Sequence, residues 1–128
     1  MRGMRDRPNQ PPTTDWFARP LSAFVLWCVP LIFGFGTSFL GAPPMIRALV
    51  WTAAFLWMGA GCVVNAVRCH RLHCYISGPV FLLGAATEGL LAANLLSFGS
   101  HAIDNTAGIT LAVALLSFVP ERIWAKYA

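Results

Sequence analysis

Leu21-Ser22-Ala23-Phe24-Val25-Leu26-Trp27-Cys28-Val29-Pro30-Leu31-Ile32-Phe33-Gly34-Phe35-Gly36-Thr37-Ser38-Phe39-Leu40 runs for twenty residues without a charge. A helix of that length covers about 30 Å, the thickness of a bilayer's hydrocarbon core. Polar, Pro-rich residues precede the run, and Gly41-Ala42-Pro43-Pro44 follows it. Prolines directly after a candidate cleavage site block cleavage, and Leu40 is too large for the small-residue position, so no signal peptide is expected. The run reads as a retained span.

The rest of the chain agrees. Of its 128 residues 57% are hydrophobic and only 11% are charged, against about 25% charged in soluble domains. Too little polar surface remains to cover so many apolar residues, so lipid must be part of the solvent. The expected fold is an all-α integral membrane bundle of four transmembrane helices, with spans near 21–40, 46–67, 79–98 and 107–124. These make a single domain over 20–128, behind a Pro- and Arg-rich cytoplasmic tail, 1–19, too poor in apolar residues to order itself. Pro30 and Gly34-Phe35-Gly36 should kink or thin the first span, and Pro79 suits the first turn of the third. The fourth meets Pro120-Glu121-Arg122 after about eleven apolar residues, so crossing requires extension at both ends and a snorkelling Arg122. A re-entrant or interfacial helix is the alternative there. Ala85, Gly89 and Ala93, four apart, permit close helix approach.

Basic residues set the expected orientation. Arg2, Arg5, Arg7, Arg19, Arg68, Arg71, Arg122 and Lys126 fall on one side of such a bundle and Arg47 on the other. The positive-inside bias places both termini and the middle loop in the cytoplasm, with the chain multi-pass in a cell inner membrane. Trp16, Phe17, Trp124 and Tyr127 fit the inner interface and Trp51 the outer one.

Between spans two and three stands Cys69-His70-Arg71-Leu72-His73-Cys74, four soft or borderline donors within six residues. If span two continues helically through it, Cys69 pairs with His73 and His70 with Cys74, each at i,i+4. Thiolate and imidazole suit mercury, copper or zinc, although two separated ligand pairs of a zinc finger are absent. Arg68 and Arg71 would favour thiolate. The competing reading is a solvated cytoplasmic turn with cysteines filling small packing sites.

Deeper candidates extend this cluster. Cys62, Asn65 and Cys69 share a helical side at i, i+3 and i+7. Cys28 lies about 12 Å into span one, and Glu88, near the midplane, is costly in lipid and should face the bundle or water. Together with Cys74 these residues form a descending series able to pass a soft cation by ligand exchange. Core packing is the plainer reading for Cys28; for Glu88 a proton or cation relay stands slightly ahead of an interhelical hydrogen bond that fixes packing. His101 and Asp104 supply too few donors for a site. No phosphate-binding Gly-rich loop or nucleophile motif is present, so no enzymatic activity is expected. The basic tail suits lipid headgroups rather than nucleic acid.

The run Cys62-x2-Asn65-x2-Arg68-Cys69-x-Arg71-x-His73-Cys74-x2-Ser77-Gly78-Pro79 resembles the signature of a family of small, uncharacterised bacterial polytopic membrane proteins. That resemblance implies a membrane fold and no particular activity. In size and span count the chain is also similar to small mercuric transport proteins, but Cys28 stands alone where they carry a cysteine pair.

The leading expectation is soft-metal-ion binding or transport through the Cys/His cluster. The alternatives are a membrane thiol/disulfide redox protein built on Cys69 and Cys74, and an accessory subunit of a larger membrane complex. A homo-oligomer fits any of these.

Overall fold

A computed structural model of the chain describes residue 16, residues 19–95 and residues 101–123. Most of the expected tail, and Trp124, Lys126 and Tyr127, lie outside the described residues. The described residues are helical, without a strand. Helix α1 covers Pro20–Phe39, α2 Pro44–Cys69, α3 Leu72–Ala92, α4 Ala102–Leu116 and α5 Phe118–Ile123. Helices α4 and α5 together form one apolar stretch, Ala102–Ile123, so the described residues hold four helical stretches long and apolar enough to cross a membrane. They make an all-α membrane bundle with α2 and α3 as its most closely packed pair.

The interruptions expected at Pro30 and Pro120 are present, each with an identifiable cause, whereas Gly34-Phe35-Gly36 continues as regular α-helix. Pro30 cannot donate to the Leu26 carbonyl, and its ring crowds that carbonyl. The preceding turn, Phe24–Cys28, relaxes into a π-helix, which widens the backbone there. Pro120 likewise has no N–H for Leu116, and the fourth span breaks at Ser117 between α4 and α5. The span begins at Ala102, earlier than its composition suggests, and its 22 residues are long enough to cross. Glu121 and Pro120 therefore lie inside it.

The Cys/His segment corrects the expected boundaries most. It is not a loop: α2 ends at Cys69, His70 takes a left-handed conformation (φ 55°), and α3 starts at Leu72. The connection is only His70 and Arg71, and Pro79 lies well inside α3 on an exposed face. A left-handed residue after the last helical one reverses the chain sharply, and histidine tolerates that region better than most residues. Asn94, also at φ 55°, takes up the same geometry past the end of α3.

The buried side chains of α3 are those of His73, Cys74, Ser77, Phe81, Ala85, Glu88 and Ala92, with Gly78 and Gly84 on the same stripe. They recur at three- and four-residue spacing, as one helix face requires. The closest helix approach is not at Ala85-Gly89-Ala93: Ala93 is exposed, and a Cβ on Gly89 would be 3.8 Å from Thr52. Helices α2 and α3 approach closely instead at Gly78, where a Cβ would lie 2.9 Å from Val63 Cγ2 and 3.3 Å from the Val63 backbone nitrogen, and a Cβ on Gly59 would lie 3.2 Å from the Gly78 carbonyl oxygen. An aromatic chain fills the interior. Trp51 and Phe55 have ring centroids 5.2 Å apart, Phe55 and Phe81 5.8 Å, Phe81 and Trp27 5.3 Å, and Trp27 and Phe118 5.6 Å.

Gly78→Val is expected to push α2 and α3 apart and lower stability by about 1–3 kcal/mol, the usual cost of overpacking. Gly36→Ala, where a Cβ meets nothing within 4 Å, should cost nothing. Thermal unfolding of both variants in detergent checks this.

Candidate thiol site at the basic end of the bundle

Arg19, Arg68, Arg71 and Arg122 stand at the end of the bundle where α1 begins, α2 turns into α3, and α5 finishes. Inside that end lies a fully buried polar cluster of Cys62 and Asn65 from α2 with His73, Cys74 and Ser77 from α3. Buried polar groups are retained when they satisfy one another, and these do. Asn65 Nδ2 donates to Cys74 Sγ at 3.6 Å, while its Oδ1 accepts the Trp16 backbone N–H at 3.1 Å. The Ser77 hydroxyl donates to the His73 carbonyl one turn back, at 2.8 Å. Its oxygen lies 3.5 Å from Cys62 Sγ and remains able to accept a thiol proton. The two thiols, Cys62 and Cys74, lie close enough to interact, and the Trp27 indole borders Cys62. Both are free thiols.

Glu121 organises this cluster. One of its oxygens, Oε1, accepts three hydrogen bonds: from the His73 backbone N–H at 3.1 Å, from His73 Nδ1 at 2.6 Å and from Arg71 Nε at 3.3 Å. The first of these caps α3, whose own N-cap residue, Arg71, makes no side-chain cap. An ionised carboxylate is acceptor-only, so Nδ1 carries a proton and the lone pair of a neutral ring sits on Nε2. Nε2 lies 3.4 Å from Cys74 Sγ. Phe118 stacks on the imidazole at 4.2 Å, and Arg71, Phe118, Glu121 and Arg122 line a cavity of about 600 Å³ at the same end. The result is a carboxylate–imidazole–thiol line, in which the unprotonated ring nitrogen of His73 faces the Cys74 sulfur.

The expected metal cluster does not assemble in the form anticipated. His70 is exposed and its Nδ1 lies 2.6 Å from the Tyr75 hydroxyl, whereas His73 and Cys74 point inward. The i,i+4 pairs require one continuous helix, and the left-handed His70 ends it. The side chain of Cys69 lies outside the described ones. Among the described residues, no group of three or more His, Cys, Asp or Glu is placed to hold a metal ion. Arg71 serves the cluster through Glu121, and Arg68 stacks over Trp16, 5.2 Å from its centroid.

The descending path does not form either. Cys62 and Asn65 join the cluster, but Cys28 is exposed on the outer face of α1. Glu88 lies fourteen residues beyond Cys74 on α3, about 21 Å along the axis. The earlier start of α3 moves it from the midplane towards the far end. Glu121 is the residue that sequence reasoning misses. Its signal is present, a carboxylate inside an apolar helix, but beside Pro120 and Arg122 it reads only as a span terminator.

Glu121→Ala would remove the three hydrogen bonds that its carboxylate accepts from Arg71 and His73. Breaking a buried pair costs about 3–5 kcal/mol, and the remaining 13% exposure of the Arg71 side chain places the expected loss near the lower figure. Asp104→Ala, at an ion pair whose carboxylate side is 41% exposed, should cost about 1 kcal/mol or less. Unfolding of both in detergent checks the contrast. No protein-family model matches this chain, and no curated protein or solved structure matches it either.

Proposed function

We propose that this protein is a thiol/disulfide redox protein of the bacterial inner membrane, with its basic end in the cytoplasm and Cys62 and Cys74 as the working couple. One arrangement supports this reading. Two buried thiols on adjacent helices lie close enough to interact, and His73 Nε2 stands 3.4 Å from one of them with Glu121 on its other nitrogen. The thiolate is the reactive form of cysteine, and an oriented imidazole removes the thiol proton as a general base. In the oxidation, two S–H bonds break and one Cys62–Cys74 S–S bond forms. The two electrons and two protons pass to a lipid-soluble quinone, which becomes the quinol. His73 takes the Cys74 proton and passes it to one quinone oxygen, and the other quinone oxygen takes the Cys62 proton, giving the quinol. The sequence alone points to Cys69 with Cys74; the side chain of Cys69 lies outside the described ones, and among those described Cys62 is the thiol beside Cys74.

Soft-metal binding is the competing proposal, resting on the same two sulfurs. One set of variants separates the two. On treatment with a short-chain quinone, the purified protein should lose two hydrogens by intact mass and yield a linked peptide pair containing Cys62 and Cys74. Cys62→Ser and Cys74→Ser should abolish the change, Cys28→Ser and Cys69→Ser should leave it, and His73→Gln should slow it about 100-fold. Failure to oxidise, or a bridge to Cys69 in its place, would sink the redox reading. Tight Cu(I) binding lost in Cys62→Ser, with no disulfide formed, would favour the metal.

A further inference from the structure

Glu88 is fully buried, and neither of its carboxyl oxygens has a hydrogen-bond partner among the described residues. An interhelical hydrogen bond, the plain reason to keep a carboxyl group in a membrane helix, is thus not made here. The group lies four residues before the end of α3, about 6 Å from it, at the end of the bundle opposite the thiol cluster.

The charged and titratable groups at that end come from two helices. Arg47 of α2 pairs with Asp104 in the first turn of α4, Nη1 to Oδ2, at 2.7 Å, and His101 precedes α4 and is exposed. Helix α1 contributes none there among the described residues. Instead its Ser38 hydroxyl donates to Asp104 Oδ1 at 3.2 Å and accepts the Trp51 indole N–H at 3.3 Å. Arg47 gives Nη1 to Asp104, while its buried Nε has no hydrogen-bond partner among the described residues, and the Asp104 charge is near enough to act on Glu88. A carboxylate in an apolar interior, with an acid rather than a base as its electrostatic neighbour, is costly in the ionised form. The neutral acid is cheaper, yet it too leaves a donor and an acceptor unmatched.

We propose that Glu88 is a proton-exchange site of the bundle, filled and emptied through the end of the molecule that carries Asp104 and Arg47. The buried carboxyl holds a proton on one oxygen, and its O–H bond breaks as the proton leaves toward the half-exposed Asp104 side. The carboxylate regains a proton by the same route. The site takes a proton and no larger ligand, and it is independent of the thiol couple about 21 Å away along α3.

Infrared difference spectroscopy of the full chain in liposomes tests this. Wild type should show a protonated carboxyl stretch that is absent from Glu88→Gln, shifts in heavy water and bleaches reversibly as pH rises. Asp104→Asn should move the midpoint of that titration, and Cys74→Ser should leave it unchanged. If Glu88→Gln fails to fold, dicyclohexylcarbodiimide labelling of wild type, which requires a protonated buried carboxyl, gives the second readout as an adduct on Glu88 that diminishes with rising pH. A stretch assigned to Glu88 that never titrates, or no protonated stretch and no adduct at any pH, would overturn the proposal.

Discussion

The basic end of the bundle depends on one carboxylate. Glu121, carried by the last short helix, accepts the first-turn N–H of α3, the ring N–H of His73 and the guanidinium of Arg71. Helix starts leave N–H groups without intrahelical partners, and a negative group there is favoured by the helix dipole. In lipid these N–H groups have no water to turn to. The sharp turn at His70 and Arg71 is thus tied to the other end of the chain. The same contact selects the imidazole tautomer that faces Cys74. Structure and site chemistry share that one acceptor.

The interior separates two polar centres. The aromatic chain from Trp51 through Phe55, Phe81 and Trp27 to Phe118 fills the bundle between the thiol cluster and the region of Glu88. Such packing excludes water, so each centre must meet its own electrostatic needs. The thiol cluster does so by mutual hydrogen bonding. Glu88 does not, among the described residues.

Part of this architecture is legible in the residues alone. Four spans, the punctuation at Pro30, Pro43-Pro44 and Pro120, and the unequal distribution of arginine follow from composition and spacing. Cys62, Asn65, His73 and Cys74 stand out as soft or polar side chains in a chain with few to spare. The length of the Cys/His connection is not legible, because its polar residues suit a loop and the first turns of a buried helix equally well. Taking it as a loop displaces Glu88 toward the midplane, and taking it as a continuation of α2 pairs Cys69 with His73. Trp16, expected in the tail, instead docks by its backbone N–H on Asn65, a contact no local pattern could announce.

Hydropathy, helix length and charge bias are local or additive properties, so the sequence by itself determined that the chain is a four-span helical membrane bundle with a basic end. Tertiary structure alone decided that Cys62 meets Cys74, that Glu121 finds His73 forty-eight residues away, that Cys28 faces outward and that Glu88 is left without a hydrogen-bond partner among the described residues. Those outcomes depend on how each helix is rotated about its axis and where it starts. Rotation is settled by close approaches such as Gly78 on Val63, and a shift of one residue turns a helical side chain by about 100°.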